Sequence, residues 1–373
     1  MRSIWLRGLA GILLALALGL GAAGCGDDEK GAGGETTAVE TGAGELAAAA
    51  TEAAEEAAAG KEQVALPAKT IGILNVAGSS EAAQRLEKGA KDALNAIGWK
   101  FKVIDAQGDP QKMGAGMTNL VNQNVDAIIS IANIPAAIQN GLAAAERKGI
   151  PVINSGGVVT DDPKIDADYA IDETEFTNKL FDYMAEKMPD NAKMAIHVAP
   201  ALLSEKLRGE ALRARLKADR PDVQIVATHN TDFANPAVDT TQAMNSQLTA
   251  NPDIDVVWGD TDFQMPPIAQ VLKQKGLCGK VQHYNYYGDL LNLQAIRDGC
   301  ATAVVESPLE SDGWAAVDSF AEFFARKTPI PQFEDLDYPL DFRPIVVVDE
   351  TNVPEDPKAY MPPAADFETF FTK

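Results

Sequence analysis

Short apolar runs alternate with helical patterns along most of this chain, and this alternation constrains its fold more than any other feature. Apolar runs predict buried β-strands, and apolar residues spaced three and four apart predict helices. Such alternation builds parallel sheets covered by helices. The units are too many for one modest sheet, so the 373 residues predict an α/β protein with two doubly wound parallel-sheet lobes.

The boundaries of these elements follow from the same patterns. The predicted strands are 70–76, 100–105, 127–130, 151–154, 194–198, 224–228, 255–259, 281–284 and 302–306. The predicted helices are 82–97, one through Leu120 and Val121, 135–149, 174–188, 204–218, 236–250, 263–275 and 288–298.

The charge balance argues against several classes of partner. The chain carries 54 Asp and Glu against 32 Lys and Arg, a formal net charge of −22. Such a surface repels phosphate backbones and anionic lipid headgroups, so we expect no nucleic-acid partner and no polybasic membrane attachment. The three His and three Cys are too few for a multi-histidine metal site or a cysteine-rich scaffold.

The first 24 residues have the pattern of a secretory signal peptide. Arg2 and Arg7 form a short positive region, an apolar run follows over Leu9–Leu20, and small residues lead to Cys25. The ending Ala-Ala-Gly-Cys resembles the lipobox of bacterial lipoproteins, in which the cysteine is lipidated and becomes the first residue. The resemblance implies attachment to the extracytoplasmic face of the membrane through a lipid anchor alone; the alternative is an ordinary secreted protein with a coincidental cysteine.

Residues 25–66 are predicted to be a disordered acidic tether. Gly, Ala, Thr, Glu and Asp dominate the stretch after Cys25, so it cannot bury enough apolar surface to offset the loss of chain entropy. A coil of roughly 40 residues spans about 35 Å, which suits a tether that holds a folded body away from a membrane.

Several segments of the body resemble, in order, the type I periplasmic sugar-binding proteins. Ile71–Asn75 and a long helix precede Val103–Pro110, which reads Val-Ile-Asp-Ala-Gln-Gly-Asp-Pro. The other similar segments are Val125–Ser130, Gly149–Ile153, Leu248–Ile254, Ile296–Gly299 and Tyr338–Asp341. Their order and spacing over about residues 69–350 resemble the ribose-binding members of this family.

The resemblance implies two lobes joined by a hinge of three crossings, with the ligand held between them. The crossings would lie near Asp172, Ser307 and Asp341. The implied N-terminal lobe is 69–172 with 307–341, the implied C-terminal lobe is 173–306 with 342–360, and residues 361–373 form a tail, which we expect on the surface of one lobe.

The implied function is that of a monomeric solute receptor, which delivers a sugar or similar small polar solute to an ABC permease without a cofactor. A receptor for chemotaxis or a sensor kinase would share these features and remains the alternative. A lipid-anchored enzyme is a remote one, because the chain has no nucleophile-elbow or phosphate-loop motif and its three His lie far apart in the sequence.

Ligands of open parallel sheets bind beyond the carboxyl ends of the strands, so the residues that follow each strand are candidates. Asn75 lies at the end of the first strand, and Asn133 follows the third as either a ligand contact or a helix cap. After the fourth strand, the family's sugar binders often carry an Asp-Arg pair where this chain has Gly156 and Gly157. This departure leaves room for a larger ligand or exposes backbone N–H groups.

In the second lobe, the resemblance points to Lys206 and Phe233. Lys206 aligns with an Arg that enters the family's cleft, and a solvated helix face is the alternative. Phe233 matches a residue that packs on the ligand, and a simple core position is the alternative.

Four further residues complete the predicted ligand site. Thr261 and Asp262 follow the predicted strand 255–259, where the family has a polar residue and an acid. Asn285 takes the place of a family Asp, and Glu306 lies at the last crossing, where relatives often have Gln. Amide and carboxylate groups of this kind bind the hydroxyls of neutral polyols.

Cys278 and Cys300 remain once Cys25 is assigned to the lipid, and exported thiols tend to pair. Each precedes a predicted strand, and two such strands begin at the same edge if they are neighbours in a parallel sheet; the alternative is two buried thiols that never meet. The spacing between strands matches the separation that a disulfide needs, so we predict a Cys278–Cys300 bridge.

Overall fold

The computed structural model describes residues 64–160, 162–200, 202–232, 235–332, 335, 345–354 and 371–372. Within them lie two large sheets, each packed against helices, and one two-stranded sheet; the two large sheets confirm the predicted two-lobe α/β architecture. The predicted signal peptide, Cys25 and Phe233 lie outside the described residues, as do most of the tether and most of the tail.

The first sheet has the strand order β3-β2-β4-β5-β6, and all of its pairings are parallel. Every residue of β4 and β5 is buried, as expected for apolar runs in the middle of a covered parallel sheet. The strands are β2 (Thr70–Asn75), β3 (Lys100–Asp105), β4 (Ala127–Ile131), β5 (Val152–Ser155) and β6 (Ala167–Tyr169).

The second sheet has the order β12-β11-β10-β9-β7-β8, in which only the β11–β12 pairing is antiparallel. Its strands are β7 (Lys193–Val198), β8 (Gln224–Asn230), β9 (Val256–Gly259), β10 (Gln282–Tyr286), β11 (Ala303–Glu306) and β12 (Val346–Asp349).

The described helices connect the strands. They are α1 (Glu81–Ala96), α2 (Pro110–Asn122), α3 (Pro135–Lys148), α4 (Glu173–Lys187), α5 (Leu203–Asp219), α6 (Pro236–Ala250), α7 (Met265–Gln274), α8 (Leu290–Arg297) and α9 (Leu309–Arg326). Among them, none combines the length and apolar character needed to span a membrane.

Local signals set the ends of several helices. Asp109 caps α2 by accepting a hydrogen bond from the Gln111 N–H at 2.8 Å, and Pro110 occupies the first turn, where its missing N–H costs nothing. Gly149 ends α3 in the left-handed conformation, with φ of 64°. Gly149 explains why the end of α3 could be predicted from the sequence, whereas the bounds of α2 were not predicted.

The chain passes between the two sheets more than once. It leaves the first sheet after β6, enters the second at β7, and leaves that sheet after β11 to form α9. Helix α9 packs against α1, whereas β12 returns to the edge of the second sheet beside β11. We refer to the first sheet with α1, α2, α3 and α9 as the first lobe, and to the second sheet with α4–α8 as the second lobe.

Three elements of the two lobes were not predicted from the sequence: β6, α9 and β12. Strand β6 has only three residues, and β12 is stabilised by pairing with β11, 40 to 46 residues earlier in the chain. Helix α9 is buried along most of its first three turns, so it lacks the alternation of polar and apolar faces that marks a surface helix.

The predicted tether extends too far toward the body. Val64 and Ala65 form strand β1, which pairs in parallel with β13 (Phe371–Thr372) near the end of the chain. The pairing supplies the backbone hydrogen bonds that a solvated tether would make with water. Strand β1 also contacts α9, so these two residues of the tail lie beside the first lobe.

The predicted disulfide is present in the structure. Cys278 and Cys300 are joined, with their Cα atoms 4.3 Å apart. Strands β10 and β11 are parallel neighbours, so the residues that precede them start at the same edge, as the sequence indicated. This confirms the predicted pairing.

Candidate functional site

The carboxyl end of the first sheet brings Asn75 and Asn133 close together. Asn75 donates from Nδ2 to Glu87 Oε2 at 2.7 Å, and its Oδ1 accepts the N–H of Ala77. Asn133 donates to the Leu74 carbonyl at 2.7 Å, which ties β4 to β2. Both side chains therefore organise the sheet edge, and among their polar atoms the buried Asn133 Oδ1 has no partner.

Gly156 and Gly157 both have a positive φ, of 71° and 73°, in the turn after β5. A Cβ on Gly156 would lie 2.6 Å from a methyl carbon of Leu86, and the Gly156 N–H donates to the Tyr169 carbonyl at 2.8 Å. The sequence predicted extra room or a free N–H here. At Gly156 that expectation is wrong, because Leu86 of α1 fills the space and Tyr169 takes the N–H.

Helix α5 presents different side chains to solvent and to the interior. Lys206 is exposed, with Nζ 3.8 Å from Glu210 Oε1, which is the solvated helix face left open above. Two residues later, Arg208 is 1% exposed. The buried cation on this helix is therefore Arg208 and not the predicted Lys206.

Arg208 organises a buried cluster within the second lobe. Its guanidinium donates to Glu173 Oε1 at 3.0 Å, to the Asp260 carbonyl at 2.8 Å and to the Tyr287 hydroxyl at 2.6 Å. Burial raises the pKa of Glu173 to about 7, although Arg208 opposes this rise. Such a network fixes the strand ends of the second sheet relative to α4.

Thr261 and Asp262 follow β9 and reach the first lobe. Asp262 Oδ2 accepts the Ser80 hydroxyl at 3.2 Å and the Ala82 N–H at 3.4 Å, while its Oδ1 accepts the Thr261 hydroxyl at 2.9 Å. Ser80 is the N-cap of α1, where unpaired N–H groups and the helix dipole favour an anion. The predicted Asp262 thus connects the second lobe to the N-terminus of a first-lobe helix.

Glu306 lies wholly buried at the end of β11 and meets Arg85 of α1. The Arg85 Nη2 donates to Glu306 Oε1 at 2.7 Å, and Gly288 N–H also donates to this carboxylate. Arg85 further contacts Asp289 Oδ1 at 3.2 Å and Glu310 Oε1 at 3.0 Å. One first-lobe guanidinium therefore joins carboxylates from three places in the fold.

The charges of this Arg85 cluster perturb one another strongly. Burial would lower the pKa of Arg85, but the three carboxylates raise it well above its ordinary value. Burial raises the pKa of Asp289 well above its ordinary value and also raises that of Glu306, although Arg85 opposes both. The guanidinium is thus held charged, and the carboxylates around it favour an additional positive group or proton.

Asn285 lies in β10 beside the end of β9. Its Oδ1 accepts the Tyr286 N–H, but its buried Nδ2 has no partner. A Cβ at Gly259 would lie 2.6 Å from this Nδ2, so the side chain needs glycine at that position. The predicted residue therefore offers a buried amide donor near the carboxyl end of the second sheet.

Other buried polar atoms near these strand ends also have no partner: Ser155 Oγ at the end of β5, Asp289 Oδ2 after β10, and Ser307 Oγ after β11. A buried polar atom without a partner is costly, at about 1–3 kcal/mol, and a polar ligand that reached these atoms would satisfy them. Within the described residues, no group of three or more His, Cys, Asp or Glu side chains is arranged to hold a metal ion.

The sequence did not single out Arg85, Arg208 or Asp289. Arg85 and Arg208 lie within helices, where a charged side chain is ordinarily exposed. The partners of Arg85 are up to 225 positions away in the sequence. Asp289 directly precedes α8 and looks like an ordinary N-cap. For Asp289 a signal did exist, since it follows a strand of the second sheet by a few residues.

Comparisons with known proteins identify the family to which this fold belongs. The family model for the periplasmic binding protein domain matches residues 71–327. The chain therefore belongs to the periplasmic binding protein family.

Two sugar-binding proteins are similar to this chain in sequence. The chain is 24% identical over 238 residues to the ribose import binding protein RbsB of Haemophilus influenzae, covering 61% of this chain and 76% of the relative. It is 24% identical over 234 residues to the D-xylose-binding periplasmic protein of Escherichia coli, covering 60% and 70%.

Solved structures share the fold. An ABC transporter solute-binding protein from Agrobacterium vitis with bound allitol has a TM-score of 0.67 and 19% identity, covering 78% of this chain and 98% of that one. A carbohydrate transporter solute-binding protein from Agrobacterium radiobacter in complex with D-arabinose has a TM-score of 0.64 and 19% identity, covering 79% and 99%.

Proposed function

We propose that this protein is an extracytoplasmic solute receptor, which binds a sugar or a similar small polar solute between its two lobes and delivers it to an ABC permease. Its family supports the receptor role. The relatives are named for ribose and D-xylose, and the similar structures for allitol and D-arabinose. These names share one chemistry, that of small polyhydroxylated molecules.

The observation that carries the proposal is the set of buried, unpartnered polar atoms at the carboxyl ends of strands in both sheets. Asn285 Nδ2 and Asp289 Oδ2 come from the second lobe and Ser155 Oγ from the first, while Ser307 lies between β11 and α9. A polyol has hydroxyls that both donate and accept hydrogen bonds, so it can satisfy an amide donor and a carboxylate acceptor together.

The predicted Glu306 has a supporting role in this proposal. Its oxygens accept hydrogen bonds from Arg85 and Gly288, so it positions the guanidinium and the β10–α8 turn beside Asp289. Thr261 and Asp262 similarly hold the lobes together at α1. Asn285 is therefore the predicted residue best suited to test ligand binding without disturbing an ion pair.

The membrane attachment is part of the same proposal. The signal-like N-terminus and the lipobox-like Cys25 support export and a lipid anchor, and the acidic stretch that follows would space the receptor from the membrane. A single receptor domain can deliver a solute to a permease, so we propose a monomer.

The test is a calorimetric screen of the full mature chain against pentoses, hexoses and their polyols, followed by Asn285→Ala. We expect at least one compound to bind, and Asn285→Ala to weaken it by about 10- to 100-fold, equivalent to about 1–3 kcal/mol. Asn245→Ala, on α6, removes an amide that bonds only within its own helix and should bind normally. Absence of binding across the whole screen would contradict the receptor proposal, and unchanged affinity in Asn285→Ala would contradict this site.

A further inference from the structure

Asp289 stands at the N-cap position of α8 but does not cap that helix. Its Oδ1 instead accepts a hydrogen bond from Arg85 of the first lobe at 3.2 Å, while its Oδ2 has no partner. The residue is 2% exposed. An acid that would ordinarily satisfy N–H groups of its own helix is thus held at the boundary between the lobes, with one oxygen unpaired.

Negative charge around Asp289 exceeds what its guanidinium partner can balance. Arg85 is shared with Glu306 and Glu310, and it meets Glu310 through two separate hydrogen bonds of 3.0 Å. Asp262 and Glu81 also act on Asp289 electrostatically, and both add to the negative potential there. A buried carboxylate in such surroundings needs a second positive charge or a proton.

A neutral hydroxyl could donate one hydrogen bond to Asp289 Oδ2, but it would leave the charge of the cluster unchanged. A protonated amine would donate a charge-assisted hydrogen bond and offset the excess negative charge as well. The net charge of −22 acts in the same direction at long range, because it attracts cations and has no such effect on neutral sugars.

We propose that the solute carries a protonated amino group, which pairs with Asp289 Oδ2 at the boundary between the lobes. This inference rests on the proposed receptor function and narrows its substrate class to amino sugars, amino polyols or similar small amines bearing hydroxyls. Asn285 and the serines at the strand ends would then contact the hydroxyls.

The proposed substrate class is tested by calorimetry on the full mature chain, with compounds that differ in the amino group. Glucose, galactose and mannose are compared with their 2-amino and 2-acetamido forms, and glucitol with 1-amino-1-deoxyglucitol. Ribose, xylose, arabinose and allitol serve as further neutral probes. We expect an amino compound to bind at least about 10-fold more tightly than its neutral parent and its acetylated form.

Tight binding of a neutral compound, with no preference for the amine, would overturn the inference and leave the receptor function standing. Binding of none of these compounds would overturn both the inference and the receptor function. The comparison uses the native protein, so it decides the question even if a substituted variant fails to fold.

Asp289→Asn then tests whether Asp289 is the residue that pairs with the amino group. The substitution keeps an oxygen for Arg85 but removes the charge, so affinity for the amino compound should fall by about 10- to 100-fold, while a neutral parent changes by less than about threefold. Asp298→Asn is the matched control, because it removes a solvent-accessible carboxylate from the other end of α8, where it pairs with Lys273. An Asp289→Asn protein that folds and keeps its full preference for the amine would overturn the assignment to Asp289.

Discussion

Arg85 shows how strongly one side chain can couple distant parts of this chain. It lies on α1, yet its partners Asp289, Glu306 and Glu310 lie on or next to α8, β11 and α9. All four side chains are nearly or fully buried. A guanidinium suits this position because its planar fork donates in several directions at once and remains charged when buried.

Replacing Arg85 with Met should destabilise the protein by about 3–5 kcal/mol, because three buried carboxylates would lose their common counter-ion. Lys88→Met is the control on the same helix: Lys88 pairs with Asp92 at an exposed site, so the cost should stay below about 1 kcal/mol. Urea unfolding monitored by circular dichroism measures both. Equal, small losses would show that the Arg85 cluster is not the source of stability proposed here.

His283 couples the stability of the second sheet to pH. Burial lowers its pKa to about 3 in the folded protein, and nearby His197 adds to this effect. The ordinary pKa of about 6.5 returns on unfolding, so between these values the unfolded chain binds the additional proton. His283 therefore costs nothing above pH about 7, and stability is lost as the pH falls from about 6.5 toward 3.

His283→Leu removes this titration. From pH 7 to pH 5, the unfolding free energy of the native protein should fall by about 2 kcal/mol more than that of the variant. Other groups contribute equally to both proteins, so the difference isolates His283. Parallel pH profiles of the two unfolding free energies would show that this residue does not titrate differently in the folded state.

At the scale of elements, the tightest packing joins α1 to α9. A Cβ at Gly89 would lie 2.1 Å from the Glu310 carbonyl oxygen, and one at Gly313 would lie 2.3 Å from the Ala90 backbone nitrogen. The two helices therefore touch backbone to backbone, which only glycine permits. This contact also brings Glu310 within reach of Arg85.

Gly89→Ala should destabilise the protein by several kcal/mol, because the added methyl group meets a backbone carbonyl that cannot move independently of α9. Gly209→Ala is the matched control in the interior of α5, where a Cβ would meet only Val198, at an ordinary 3.6 Å. That change should stabilise by about 0.5–1 kcal/mol through helix propensity. Thermal or urea unfolding compares the stabilities of the two variants. An unchanged stability in Gly89→Ala would contradict the close packing of α1 against α9.

At the scale of the whole molecule, polar contacts at the start of α1 connect the lobes. Asp262 accepts from Ser80 and Ala82, and Glu81 accepts the Leu290 N–H at 3.0 Å. These join the N-terminal turn of a first-lobe helix to the loops after β9 and β10. Members of this fold close around a ligand by hinge motion, and such contacts would stabilise the closed arrangement.

Asp262→Ala should therefore shift the ligand-free protein toward a more open arrangement, with a larger radius of gyration in solution scattering. Asp253→Ala is the control, because this exposed acid pairs with Lys193 inside the second lobe. For the native protein, saturating ligand should reduce the radius of gyration. Identical scattering profiles for native protein, variant and ligand complex would contradict both the hinge and the role of Asp262.

Much of the fold was determined by local features of the sequence. Apolar runs, helical spacing and capping residues such as Asp109 and Gly149 act over a few residues, so they indicate strands and helices without any knowledge of the fold. The Cys278–Cys300 bridge was also predictable, because each cysteine precedes a strand and neighbouring parallel strands start together. Pairings across the chain, such as β1 with β13, left no local signal.

The site depended on the tertiary structure. The sequence predicted Asn285 and Glu306 as ligand contacts, because residues at the carboxyl ends of parallel strands converge in any such sheet. The sequence pointed to Lys206, whereas the buried cation of α5 is Arg208. Lys206 and Arg208 lie within one helical turn but on different sides of the helix, and only tertiary packing decides which side chain faces inward. The sequence missed Arg85 and the unpaired oxygen of Asp289, because the Arg85–Asp289 contact joins residues 204 positions apart and exists only when the two lobes meet.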